Sequence, residues 1–291
     1  MGMGHTLAVG VKYPRRALVD LYSRYVDLCG GIDGVDVVEA DWDTLIILDG
    51  CRFDLFESIN TLPGELRAVT SQSTHTGEFM EKNFRGGSFD DIVYVSANPR
   101  PSQYDASFHD VIFLWDSEWD SELNTVPPET VTEAAIEAHE QYPNKRILVH
   151  YLQPHYPFIG ERGRDFHDEY GYTSLENQDN LWMRLRDGAR DPERVWEIYE
   201  ENLEVTLPHV QRLLDAIEGR VVVSSDHGNA FGEWDIWGHP GKAYIEPLLE
   251  VPWLVHEEGD RRTIEAGSAT KQTERDSQAA KDRLKELGYV D

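Results

Sequence analysis

The sequence predicts an α/β fold with a central, mostly parallel mixed sheet between helices. Three observations carry that prediction. Five short apolar runs each end in polar residues, helix-patterned stretches separate several of them, and 291 residues with 40% hydrophobic content are enough for one sizeable core.

The elements follow in order. From Arg15 to Cys29, the residues Leu18, Leu21, Tyr22 and Tyr25 recur at helical spacing, and Gly30-Gly31 stops the pattern. Thr44-Leu45-Ile46-Ile47-Leu48 is a continuous apolar run closed by Asp49-Gly50, the pattern of a strand buried on both faces. Runs of the same form occupy 91–96, 111–115, 147–151 and 221–225. The first of these leads into Ala97-Asn98-Pro99 and the last into Asp226-His227-Gly228. Helices are expected over 128–141 and 194–218. Residues 160–191, polar and irregular, are expected to form either a lid or a solvated insertion. A main domain over 1–256 is expected to be followed, over 257–291, by a polar linker and a short helix, 276–287, with Gly288 as its stop. Parallel sheets bind ligands beyond the carboxyl ends of their strands, so the polar residues ending these strands are the candidates for function.

Charge narrows the function. With 27 basic and 54 acidic residues the chain carries a formal charge of -27, which repels nucleic acid phosphates and anionic membranes. Seven Lys against 20 Arg within this spread acidity reads as a halophilic surface. An anionic substrate then needs local positive charge, which a bound cation supplies. Cys29 and Cys51 can form at most one bridge, residues 1–11 lack a signal-peptide core, and no run approaches the ~20 apolar residues of a membrane span. A cytoplasmic location with no membrane span is the expectation.

Several segments could carry chemistry. Asp226 and His227, side by side after a buried strand, suit a divalent metal, with Asp49 from a neighbouring strand as a further ligand; ordinary turn chemistry is the alternative. Asp49-Gly50-Cys51-Arg52 sets an acid and a guanidinium fork at a strand end, unless Asp49 caps the next helix and Arg52 pairs with Asp54. Ser71-Gln72-Ser73-Thr74-His75-Thr76-Gly77 packs four hydroxyls into seven residues, to cap a helix or to attack an ester. His150 and His155 flank a strand exit bounded by prolines, and either could move a proton or bind metal. Gly238-His239-Pro240-Gly241-Lys242 adds an imidazole and a point charge for an oxyanion.

In this order the segments resemble the alkaline phosphatase/sulfatase superfamily, in particular its sulfatase-like branch that includes phosphonate monoester hydrolases. The resemblance runs from Asp43 to Val255 through Asp49-x-x-Arg52, the hydroxyl-rich segment, His150 to Pro157, Ser225 to Gly228, and the late Gly-x-x-x-Lys before Val-Pro. It implies an alkaline-phosphatase-like three-layer sandwich over 1–256 and a divalent metal (Mn, Zn, Mg or Ca; one ion rather than two) held by Asp49, Thr74, Asp226 and His227. Thr74 falls at the nucleophile position, with Ser73 as the alternative. The Cys/Ser-x-Pro-x-Arg of formylglycine sulfatases is missing, which moves the expected bond from sulfate toward phosphodiester. By the same resemblance His155 protonates the leaving group, Arg52 and Lys242 hold equatorial oxygens, and Asn98, His150 and His239 contact substrate or a second ion. Tyr151 stands where two-metal relatives have an Asp. The implied substrate is a small-molecule, glycan or lipid-linked anionic ester. Two other readings stay open: a two-metal phosphomonoesterase or phosphotransferase, and an inactive binding protein.

Overall fold

The computed structural model describes residues 13–171, 180–271 and 277–286. Its strands are β1 (Thr44–Leu48), β2 (Glu65–Thr70), β3 (Ser88–Ser96), β4 (Ser107–Phe113), β5 (Arg146–Tyr151), β6 (Gly219–Ser224), β7 (Ala230–Phe231), β8 (Trp237–Gly238), β9 (Glu250–Glu258) and β10 (Thr270–Lys271). Eight of them form one sheet in the order β10-β4-β3-β5-β1-β6-β9-β2, and β7 pairs with β8 apart from it. The pairs β4/β3, β3/β5, β5/β1 and β1/β6 are parallel, while β9, β2 and β10 join antiparallel at the two edges.

Both faces of the central strands are covered, which is why they read as unbroken apolar runs. Ile46 and Leu48 of β1, Val149 and Tyr151 of β5, and Val221 and Val223 of β6 enter one core, shared with the helices Pro128–Gln141, Pro192–Glu204 and Leu207–Ala216. Leu45, Ile47, Leu148 and Val222 point the other way, into a core with Trp42 and with Phe79, Met80 and Phe84 of the helix Thr76–Phe84. The three-layer expectation is met.

The differences from the sequence reading have local causes. The helix expected over 194–218 is two helices, because Thr206 turns its hydroxyl back onto Asn202 O and Pro208, at the start of the second helix, has no N–H to donate. The run at 111–115 leaves the sheet at Phe113, and Leu114–Ser117 is a helical turn. Within 160–191, the helices Glu161–Tyr170 and Leu181–Arg186 bury Phe166, Leu181, Trp182 and Leu185 in the main core, so much of this segment is structural wall; residues 172–179 lie outside those described. The boundary at 256/257 falls inside β9, whose Glu257 and Glu258 still pair with β6. Beyond it β10 pairs with β4, and Ala280 and Leu284 of the helix Ser277–Glu286 enter the main core. Gly288 lies outside the described residues.

One buried imidazole in the segment 160–191 has a consequence for stability. Phe158 N–H donates to His167 Nε2 over 3.3 Å, so the ring is held unprotonated at that atom. Burial pushes the His167 pKa down from 6.5 to about 4. The unfolded chain therefore takes up a proton below pH 6.5 that the folded chain refuses until about pH 4, and acidification through this window removes stability, by at most roughly 3 kcal/mol. In urea unfolding at pH 7 and pH 5, wild type is expected to lose more midpoint than His167→Gln; equal losses would take His167 out of the account.

Candidate active site

The carboxyl ends of β1, β5 and β6, adjacent in the sheet, deliver Asp49, His150 and Asp226 to one place. All three are fully buried, and one ligand atom from each lies within 4.8 Å of the others. Gly50, at φ +63°, lets the chain turn immediately after Asp49. That turn brings Gly50 N–H onto Asp226 Oδ1 at 3.0 Å, and His227 N–H donates to the same oxygen at 3.0 Å. Asp226 Oδ2 is thereby left facing the cluster, buried and with no hydrogen-bond partner.

His227 faces the same point. Its Nδ1 lies 2.8 Å from Gly228 O, a carbonyl that can only accept, so the Nδ1 hydrogen is fixed. In the neutral ring Nε2 then aims a lone pair at Asp49 Oδ1, 3.7 Å away, and Asp226 Oδ2, 3.4 Å away. Two buried carboxylates and an imidazole lone pair converging on one spot repel one another unless a cation lies between them. His150 Nε2 is 3.3 Å from Asp49 Oδ2, while its Nδ1 is held by Tyr94 Oη at 2.8 Å. The oxygen and nitrogen donors fit a hard or borderline divalent ion, and the outer contacts orient the imidazoles as metal ligands require.

Burial alone would raise the Asp49 pKa, yet His150, His155 and His227 hold it well below the usual carboxylate range. The surrounding imidazoles move the other way. Burial lowers His155, partly opposed by Asp49, and burial together with His227 and His155 puts His239 well below its usual value. His155 Nε2 and His239 Nε2 lie 2.9 Å apart. The His155 loop is held by Asn202, whose side-chain amide donates to Pro154 O and His155 O, and His155 N–H donates to Asp49 O. Asn98, beyond β3, donates its side-chain amide to Asp49 Oδ2 at 2.5 Å.

The hydroxyl segment is arranged differently from the expectation. Ser71 and Ser73 both donate to Asp226 O, at 2.6 and 2.8 Å, which fastens this segment to the Asp226 turn and occupies Ser73. Thr74, expected among the ligands and as nucleophile, donates its hydroxyl to Glu78 Oε2 at 2.9 Å and accepts from Lys242 N–H at 2.9 Å. The hydroxyl that reaches the cluster is that of Thr76, 3.5 Å from Asp49 Oδ2 and 3.4 Å from His227 Nε2. Thr76 is the first residue of the helix Thr76–Phe84, with His75 as its N-cap, so the helix's positive end faces the same place. A sequence signal existed: Gly77-Glu78 after Thr76 opens a helical run, and the first helical residue points where a substrate anion would sit.

The two expected cations are also elsewhere. Arg52 forks onto both Asp54 oxygens, at 2.8 and 2.6 Å, the pairing given above as its alternative, and also onto Glu233 Oε1 at 2.7 Å. Lys242 Nζ, largely exposed, sits on Asp27 Oδ2 at 2.8 Å. Positive charge near the cluster comes instead from residues with no motif to announce them. A cavity of about 430 Å³ that His75 and His239 line is also lined by Arg16, Arg100 and Arg186.

The comparisons with known proteins find similarity to solved structures alone. No family model and no curated protein matches the chain. Solved structures similar to it include the C-terminal periplasmic domain of a phosphoethanolamine transferase from Campylobacter jejuni, at 14% identity over 73% of this chain and 78% of that one, with a TM-score of 0.47. A putative sulfatase from Bacteroides thetaiotaomicron matches at 9% over 75% and 65%, TM-score 0.41, and a phosphonate monoester hydrolase from Silicibacter pomeroyi at 12% over 84% and 72%, TM-score 0.38. Among the described residues no helix is long and apolar enough to cross a membrane.

Proposed function

We propose that the chain is a metal-dependent enzyme acting on phosphate esters, phosphodiesters first, with Thr76 as the nucleophile. The observation that carries this reading is the Thr76 hydroxyl set at a helix N-terminus against Asp49 and His227, beside Asp226 Oδ2, a buried carboxylate oxygen that accepts no hydrogen bond. Asp49, Asp226 and His227, with His150 beside them, would hold the cation. Bound there, a divalent cation supplies acidity to a neighbouring hydroxyl and draws charge from an ester oxygen.

The chain's own residues account for the rest. Thr76 Oγ1 forms the bond to phosphorus, and its proton passes to the neighbouring imidazoles of His155 and His239, which burial keeps unprotonated. The bond from phosphorus to the leaving oxygen breaks, and that proton, returned from His155 or His239, completes the leaving alcohol. Water, or an acceptor alcohol, then gives up a proton to the same pair and forms a bond to phosphorus as the bond from phosphorus to Thr76 Oγ1 breaks; that proton passes on to Thr76 Oγ1, giving hydrolysis or transfer and restoring the hydroxyl. Helix N-terminal N–H groups beside Thr76 stabilise the oxygens that gain charge. The halves of the reaction need no residue outside this cluster.

A two-metal reading has one observation in its favour: His155 and His239 bring two Nε2 atoms to 2.9 Å beside Asp49, a second meeting point of nitrogen donors. Metal analysis of the purified chain, alongside nitrophenyl phosphomonoester, phosphodiester and sulfate probes with Mn, Zn or Mg, separates the readings. About one equivalent of metal with diester cleavage is the expected result; two equivalents with monoester preference would support the second. No metal and no activity on any probe would refute both.

A further inference from the structure

The apolar spacing that marks residues 15–29 as a helix does not face the core. The helix Pro14–Leu28 turns Val19, Ser23 and Val26 inward, where Val19 joins Ala230, Ile236 and Leu248, and Val26 joins Tyr244 and Leu249. Its larger residues Leu18, Leu21, Tyr22, Tyr25 and Leu28 are each at least half exposed, and Trp234, equally bare, shares a cavity with Leu18 and Tyr22. Among the described residues these are six of the seven large apolar side chains left exposed. Gathered on one face they present on the order of several hundred Å², at the upper end of what a monomer leaves bare.

Spacing and charge both say what covers this face. Leu18, Leu21, Tyr25 and Leu28 follow one another at intervals of 3, 4 and 3 residues, the a/d seam of a helix that packs along another helix. Those intervals are the same read in either direction. A second copy of the helix, laid antiparallel, therefore sets Leu18 against Leu28 and Leu21 against Tyr25 twice over, about a two-fold axis. The helix also carries Arg15 and Arg16 in its first turn and Asp27 in its last, an order that opposes its own dipole. In the antiparallel pair, Arg15 of each copy lies level with the carboxyl end of the other helix, where a cation is favoured.

We infer that the helix Pro14–Leu28 is the seam of an antiparallel, two-fold homodimer of this chain, with Tyr22 and Trp234 beside it. The exposed face is of the right order for one partner's share of a standard interface, roughly 800 Å². Two chains of charge -27 repel one another, so the dimer tightens as salt screens them.

Analytical ultracentrifugation of the full chain reads the stoichiometry. Wild type is expected to sediment as a dimer, with a dissociation constant at least about tenfold lower in about 1 M than in about 0.15 M salt. Leu21→Lys and Tyr25→Glu, both at exposed positions outside the metal cluster, each place an unpaired charge in the seam twice. Each variant is expected to be a monomer that remains folded by circular dichroism. Mixed in equal amounts, the two variants should dimerise again, because the antiparallel register sets the new ammonium against the new carboxylate and leaves the other contact between Leu21 and Tyr25 intact. Variants that stay monomeric on mixing would overturn the antiparallel seam, and variants that dimerise as tightly as wild type would put the contact on another surface. A wild type that is monomeric at roughly 100 µM in about 1 M salt would overturn the dimer altogether. If that monomer floats with phosphatidylcholine vesicles and Leu21→Lys does not, the face belongs to a lipid surface instead.

Discussion

Thr76→Ala is expected to lower kcat/KM for phosphodiester cleavage by at least about a thousandfold, whereas Thr74→Ala stays within about tenfold of wild type. The two residues are two positions apart, carry the same hydroxyl and are both fully buried, so hydrophobicity and helix propensity do not distinguish them. Their surroundings do. Thr74 Oγ1 is saturated by Glu78, Pro240 O and Lys242 N–H, and its loss should cost stability of roughly 1–2 kcal/mol rather than rate. Thr76 Oγ1 is the hydroxyl against the Asp49 carboxylate and His227 Nε2, at contact distances long enough to leave room for a bound ion to tighten. Steady-state kinetics on both variants, with thermal melts to separate folding from rate, decides the matter. A dead Thr74→Ala beside an active Thr76→Ala would return the nucleophile to the position that the motif resemblance implied.

That difference shows what a sequence of this kind can and cannot convey. Strands β1, β5 and β6 were legible because burial on both faces forces uninterrupted apolar runs, and Asp49, His150 and Asp226 were legible because each ends such a run. The edge strand β2 was not, since Glu65 and Arg67 face solvent and break any apolar pattern. Nor was β9, where Pro252 interrupts the run yet is tolerated in the ladder. Which hydroxyl reaches the cluster depends on the residue at which the helix Thr76–Phe84 starts, a boundary that shifts by one or two residues on small changes in capping. The cations were harder still. Arg52 and Lys242 lie at suggestive spacings but are claimed by Asp54, Glu233 and Asp27, partners that only packing reveals. Arg16, Arg100 and Arg186 share a cavity with no sequence spacing in common, so no motif could have announced them.

Removing the cation should cost the fold as well as the activity, and Asp226→Asn should uncouple the two. Asp49 and Asp226 are both fully buried, with ligand oxygens inside the same 4.8 Å cluster. Two like charges at that separation repel by roughly 3–4 kcal/mol at an effective dielectric constant near 20. A divalent ion reverses the sign of that term, so chelation is expected to lower the melting temperature of wild type by roughly 6–16 °C, taking about 2–4 °C per kcal/mol for a chain of this size. In Asp226→Asn the amide oxygen can still accept from Gly50 and His227 N–H, while the amide nitrogen, turned to the Oδ2 position, meets Asp49 and the His227 lone pair as a donor. The variant is therefore expected to bind metal at least about a hundredfold more weakly, to lose ester turnover, and to melt at or above the temperature of metal-free wild type. Calorimetric melts of both proteins, with chelator and with Mn or Zn, read all of this without depending on a substrate. A wild type whose melting temperature ignores both chelator and metal would show that these carboxylates are stabilised by the imidazoles alone. Metal-free Asp226→Asn melting well below metal-free wild type would show that the carboxylate charge is itself part of the fold, held by the backbone N–H groups of Gly50 and His227 rather than waiting for a cation.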